Sequence, residues 1–194
     1  MKRLLLLSGP IAAGKSTVAT ALVEHHQFER IRSGDYLREI SRTKGLGSSR
    51  ADLQSLGDSL DAATNYRWII DDVAAKIIET RPEQDSWLFD SVRKNQQVTH
   101  FKKTFPNETL HIHFTASDSI LRERYESRIT LGDEYFGNTP YDIARLHPNE
   151  VHAQKLIEVA DIIFDLSQTS PEKTAAEILK NWNTGERNAS SRLD

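Results

Sequence analysis

GPIAAGKS, residues 9–16, fits the phosphate-binding pattern G-x-x-x-x-G-K-[ST] without a mismatch. Gly9 and Gly14 permit the tight turns that aim successive backbone N–H groups inward at phosphate oxygens. Ala12 and Ala13 offer only backbone to such a cradle, Lys15 can reach β- and γ-phosphates, and the Ser16 hydroxyl can complete a Mg²⁺ shell. Thr17 follows in the first helical turn. The flanks pass the context test for this motif. Leu4–Leu7 is an apolar run suited to a buried parallel strand, and TVATALVEHH reads as a helix. That helix would bring its N-terminal partial positive charge up to the anion. The stretch therefore implies nucleoside triphosphate binding and, with it, an α/β fold.

Working outward, five short apolar runs predict strands at residues 3–8, 28–31, 86–91, 110–115 and 161–166. Helical patterns separate them at 15–25, 36–41, 51–60, 66–80, 95–103, 118–131, 149–160 and 171–182. Strands alternating with helices predict a five-stranded parallel sheet in a three-layer sandwich. Ser170, Pro171 and Glu172 form a good start signal for the last helix. We expect one domain over 1–182, and the polar NTGERNASSRLD (183–194) is expected to be a flexible tail. Two stretches exceed what crossovers need. Residues of about 36–80 are expected to form an acceptor-binding helical insertion, and about 124–148, with LGDEYFGNTPYDIARLHP, a lid.

Composition narrows the class. The chain has 194 residues, no cysteine and a formal net charge of −3. A disulfide scaffold and a thiolate metal site are excluded, and no basic block speaks for nucleic acid. The start MKRLLLLSGP has too short an apolar run for a signal peptide, and cleavage would destroy the phosphate loop. No stretch approaches membrane-spanning length. A cytoplasmic protein without a nucleic-acid or membrane partner, monomeric or homodimeric, is the expectation.

Further residues extend the phosphate chemistry. In RSGDYLRE (32–39), Gly34 permits close approach and Arg38 offers a bidentate fork for a phosphate. WLFDSVRKNQQ (87–97) reads as a strand ending in Asp90, a Walker-B-type carboxylate that would hold Mg²⁺ directly or through water. Arg124 and Arg128 lie four apart on one helix face, where two guanidiniums repel unless an anion or a carboxylate sits between them. His111 and His113 share a strand face, and with no third ligand in view they read as packing rather than metal binding.

Through these motifs the chain resembles P-loop nucleoside monophosphate kinases. Ser33-Gly34-Asp35-Tyr36-Leu37-Arg38 looks like the adenylate-kinase pattern [T/S]-G-D-x-L-R. The resemblance places Ser33 against the acceptor base and Arg38 on the acceptor phosphate. Asp90, Arg93 and Gln97 echo D-G-F-P-R-x-x-x-Q, one residue shorter and lacking Phe-Pro; there the arginine grips the acceptor phosphate and the glutamine reads the base. Asp118 precedes Arg124 as an acid precedes the first lid arginine, and lid arginines stabilise the transferring phosphoryl group. Arg145 is the candidate counterpart of the arginines that follow the lid. KLIEVADIIFDLSQTSPEKTAAEIL (155–179) is more similar to dephospho-CoA kinase, and SRADLQSLGDSL (49–60) to phage-type deoxynucleotide kinases. The resemblance implies an ATP- and Mg²⁺-dependent kinase acting on a nucleoside or deoxynucleoside monophosphate. The alternatives are a dephospho-CoA-kinase-like or other small-molecule kinase, and a non-catalytic P-loop nucleotide-binding protein. A guanine-reading N-K-x-D motif is missing, which disfavours a switch.

Overall fold

The computed structural model describes residues 1–130 and 139–184. Five parallel strands form one sheet: β1 (Arg3–Ser8), β2 (Glu29–Ile31), β3 (Ser86–Phe89), β4 (Thr109–Thr115) and β5 (Ile162–Asp165). Their spatial order is β2-β3-β1-β4-β5. β1 lies at the centre, with Leu5 opposite both Leu88 and Leu110. Its four leucines are fully buried because the alternating pleat sends them to both faces of a covered sheet. Leu5 and Leu7 join one apolar cluster with Val18, Leu22, Phe114 and Ile178. Leu4 and Leu6 join the other, with Trp87, Phe89, Phe101 and Ile70. This is the three-layer α/β sandwich anticipated from the sequence.

Helices α1 (Lys15–His26), α2 (Ser33–Thr43) and α3 (Arg50–Thr64) follow the first two strands, and α4 (Ala75–Glu79) precedes β3. α5 (Asn95–Thr104), α6 (Asp118–Thr130), α7 (Tyr141–Ala144), α8 (Pro148–Lys155) and α9 (Pro171–Thr184) complete the described set. α3 starts on a reciprocal cap, in which Ser49 N–H donates to Asp52 and Asp52 N–H to Ser49 Oγ. Ser170 caps α9 as expected, accepting from Lys173 N–H at 3.3 Å. That helix continues through Thr184, two residues into the expected tail, whose remainder at 185–194 lies outside the described residues. Residues 131–138, the middle of the expected lid, also lie outside them.

Two predicted helices differ in form. The helix expected over 66–80 begins after Asn65 and Tyr66, both at positive φ, and runs as a π-helix over Ile69–Ala74 before α4. Trp68, Ile69, Ile70, Val73 and Ala74 are all buried. A regular α-helix turns too much of such a dense apolar run toward solvent, and the wider π turn keeps it on the sheet. The helix expected over 149–160 instead ends at Lys155 and tightens into a 3₁₀ turn, Leu156–Val159. The chain then reaches β4, where Asp161 N–H donates to His111 O and the Asp161 carboxylate accepts from His111 N–H, each at 2.8 Å. Short α7, not foreseen from sequence, lies in the stretch expected as a lid. Arg122 makes a forked pair with Asp142, and Arg145 pairs with Asp118 at 2.7 Å.

Candidate active site

Strand β1 delivers the phosphate loop at the carboxyl edge of the sheet, between the ends of β3 and β4. Gly9 (φ +139°), Ala12 (φ +62°) and Gly14 (φ +99°) occupy positive-φ conformations, which curl the loop into a concave nest. At Gly9 a Cβ would lie 2.4 Å from Phe114 O, so the motif's first glycine is demanded by contact with β4 as well as by φ. Ala12 carries its conformation with a side chain present, a small local strain of the kind kept at functional sites. Ala13 is buried, whereas the Ser16 and Thr17 side chains are exposed in the first turn of α1.

Lys15 Nζ donates to Gly9 O and Pro10 O, each at 2.7 Å, so the ammonium lies against the mouth of the nest. Burial pushes its pKa down to about 8, opposed by the charge of Glu150 and reinforced by Arg93 and Arg128. Three cations from the loop, the β3–α5 junction and α6 therefore share one electrostatic neighbourhood. Arg93 donates to Glu150 Oε1 at 3.2 Å. Arg128, Arg124, Gly14, Thr17 and Leu166 line a cavity of about 400 Å³ on the α1 side of the loop. Within it Arg124 is held by the main chain, donating to Ala13 O at 3.2 Å and Leu166 O at 2.8 Å. Arg124 thus braces the loop rather than standing over the Lys15 side of it.

Other expected residues are placed differently. Asp90 follows β3 as a Walker-B position requires, but its carboxylate is ion-paired with Arg30 of β2. Ser33 opens α2 with its hydroxyl 3.3 Å from that of Ser91. Arg38 folds over Gly34 and pairs at 2.6 Å with exposed Asp35, so it does not join Arg93 at the loop. Gln97, expected to read a base, is buried. Its carbonyl accepts from Arg93 N–H and Lys94 N–H at the start of α5, and its amide donates to Asp61. Asp61 also accepts from Trp68 Nε1 at 2.8 Å, and burial raises its pKa despite these bonds. Gln97 thus ties the Arg93 segment to α3, and base reading would require this network to open.

Sequence reasoning missed Glu150, Arg30, Asp61 and the partner of the two histidines. Ser8 Oγ lies 2.7 Å from His111 Nε2 and 2.9 Å from His113 Nδ1, and His111 Nδ1 faces Val159 O at 3.2 Å. This chain is polar packing, and no cluster of metal-ligating side chains exists among the described residues. Arg30 meets Asp90 only through the pairing of β2 with β3, which no local pattern announces. Nothing in the local sequence sets Glu150 apart from an ordinary acid in a first helical turn.

The donor set fits Mg²⁺ carried by nucleotide phosphates better than a resident metal. Ser16 and Asp90 are hard oxygen donors, few in number, and phosphates and water would fill the remaining positions. Asp90 is already ion-paired with Arg30, so direct ligation of a metal would require that pair to break.

The fold and the loop define a P-loop α/β protein. The sequence profile of the family described as AAA domain (AAA_17) matches residues 8–139, and the chain belongs to that family. Over 99 residues it is 31% identical to an adenylate kinase from Synechococcus sp. (strain WH7803), a match covering 49% of this chain and 49% of that protein. The chain thus spans about half the length of the curated relative it matches. A solved structure from Chloroflexus aurantiacus J-10-fl, described as a candidate kinase, superposes with a TM-score of 0.56 at 17% identity, covering 94% of this chain and 97% of that one. Shikimate kinase from Acinetobacter baumannii, in complex with shikimate, gives 0.53 at 16% identity, covering 95% and 94%. These two likenesses carry the fold. No helix among the described residues is long and apolar enough to cross a membrane.

Proposed function

We propose that the chain is an ATP-dependent phosphotransferase that moves the γ-phosphoryl group to a phosphate monoester, a nucleoside or deoxynucleoside monophosphate. The observation that carries this reading is the positive-φ nest of Gly9, Ala12 and Gly14, with Lys15 Nζ bonded to Gly9 O and Pro10 O and Arg124 bonded to Ala13 O. The partial match to adenylate kinase supports it.

In this reading the nest and the α1 N-terminus bind the donor phosphates, and the cavity beside Gly14, Arg124 and Leu166 takes the donor base. Lys15 exchanges its two carbonyl partners for β- and γ-phosphate oxygens. Ser16 and Asp90 would hold Mg²⁺, which would supply charge neutralisation for the donor phosphates. Arg93 orients the acceptor phosphate, and Arg128 balances charge on the equatorial oxygens. An acceptor phosphate oxygen forms the new bond to the γ-phosphorus as the bond to the β–γ bridging oxygen breaks, and ADP leaves. Such an acceptor needs little general-base help, so positioning and electrostatics suffice. Ser33, Gly34 and Arg38 of α2 complete the acceptor side when Arg38 leaves Asp35.

A second reading, a small-molecule kinase with a hydroxyl acceptor, is favoured by one feature. A groove of about 570 Å³ along α3 is lined by Gln54, Ser55, Asp58, Ser59 and His147, hydrogen-bonding side chains that suit a hydroxylated acceptor. A coupled ADP-release assay with ATP and Mg²⁺ separates the readings. The panel is ribo- and deoxynucleoside monophosphates, dephospho-CoA and sugar acids. Turnover with a monophosphate supports the first reading; turnover confined to non-nucleotide acceptors sinks it.

A further inference from the structure

A carboxylate buried beside cations suited to phosphates has consequences for how tightly the site holds an anion. Glu150 lies in the first turn of α8, directly after the lid segment, and is only 7% exposed. Its Oε1 takes the 3.2 Å hydrogen bond from Arg93 Nη1. The same charge acts on Lys15, and so do Arg93 and Arg128, with the opposite sign. Glu150 thus cancels part of the mutual repulsion among three cations, and the pairing offsets its own desolvation.

The same geometry opposes an incoming anion. A ligand that binds Arg93 must share or take Nη1, and it meets a like charge in a poorly solvated setting. Glu150 holds Arg93 by one hydrogen bond, whereas a phosphate monoester can accept two from the guanidinium fork and brings close to two negative charges at neutral pH. We propose that Glu150 competes with the acceptor anion for Arg93, so that an anion takes the guanidinium only by displacing Glu150 and binds more weakly for it. The inference rests on the reading of Arg93 as the acceptor-phosphate residue, and it adds the residue that sets how tightly the acceptor anion is held.

The test uses the full chain with the nest filled by ADP and Mg²⁺. Inorganic phosphate and acetate are titrated by calorimetry near neutral pH, and thermal melting of each variant checks the fold. Glu150→Gln keeps the shape and removes the charge. It is expected to bind phosphate about tenfold more tightly than the unmodified chain and to bind acetate measurably, the scale of one partly desolvated like-charge contact. Glu150→Asp retains the charge and is expected to stay within about threefold of the unmodified chain. Equal or weaker phosphate binding by Glu150→Gln overturns the competition and makes Glu150 an organiser of Arg93. Equal tightening by Glu150→Asp also overturns it. Arg93→Ala separates the two layers. Phosphate binding unchanged in that variant overturns the Arg93 assignment itself, whereas binding lost there but not improved in Glu150→Gln overturns only the role given to Glu150.

Discussion

Lowering the pH from about 7.5 to about 5 should destabilise this protein through His111 and His113 in a way a double variant can isolate. Both rings are essentially inaccessible to solvent, and Ser8 Oγ joins them. Burial lowers each pKa to about 4, from an ordinary 6.5. Val159 O and Asp161 oppose the shift at His111 while Lys102 adds to it; at His113 the added effects come from His111 and Lys15. The folded state therefore prefers neutral rings, and between about 4 and 6.5 the unfolded chain binds more protons. Stability is full above that window and declines as pH falls through it. At about pH 5 an unfolded histidine is almost fully protonated and a folded one barely, which costs about 2 kcal/mol each, or about 4 for the pair. Carboxylates add their own acid loss, so the informative quantity is a difference. Urea denaturation at both pH values should show the unmodified chain losing about 4 kcal/mol more than His111→Gln/His113→Gln. Equal losses, within about 1 kcal/mol, would refute the claim that these rings are held neutral.

Arg93→Ala should lower phosphoryl transfer by at least about 100-fold with ADP affinity retained, read by steady-state kinetics beside calorimetry; near-normal transfer removes Arg93 from the acceptor site. Gly9→Ala forces a Cβ to 2.4 Å from Phe114 O, so nucleotide binding should be lost and the melting temperature should fall. Arg124→Ala breaks the bonds to Ala13 O and Leu166 O and should cost about 1–3 kcal/mol of stability, with weaker ATP binding in a fluorescent-nucleotide titration. Trp68→Phe leaves the Asp61 carboxylate short of a buried donor; a loss of about 1–3 kcal/mol in chemical denaturation is expected, and a neutral result would argue against the Asp61 network.

The legible part of this protein is what repeats locally. A phosphate loop between an apolar strand and a helix, and strands alternating with helices, are patterns of neighbouring residues. They were enough to foresee the parallel sheet, the start of α1 at Lys15 and the cap on α9. Arg38 and Arg93 were singled out through the resemblance, and Arg124 and Arg128 through their spacing on one helix face. Pairings across the chain were not legible. Arg30 meets Asp90 only because β2 lies beside β3 in register, Glu29 opposite Trp87. Gln97 looked like a base reader until α3 brought Asp61 to it. Glu150 reaches Arg93 across 57 positions of sequence, through a turn that no periodicity announces. GPIAAGKS and its flanks alone specify a loop of phosphate-cradling shape, since nest curvature and helix dipole are local properties of backbone and spacing. Tertiary structure alone decided how the charges around that cradle are paired, because Coulomb interactions depend on distance in space and on burial, neither of which is written in residue order.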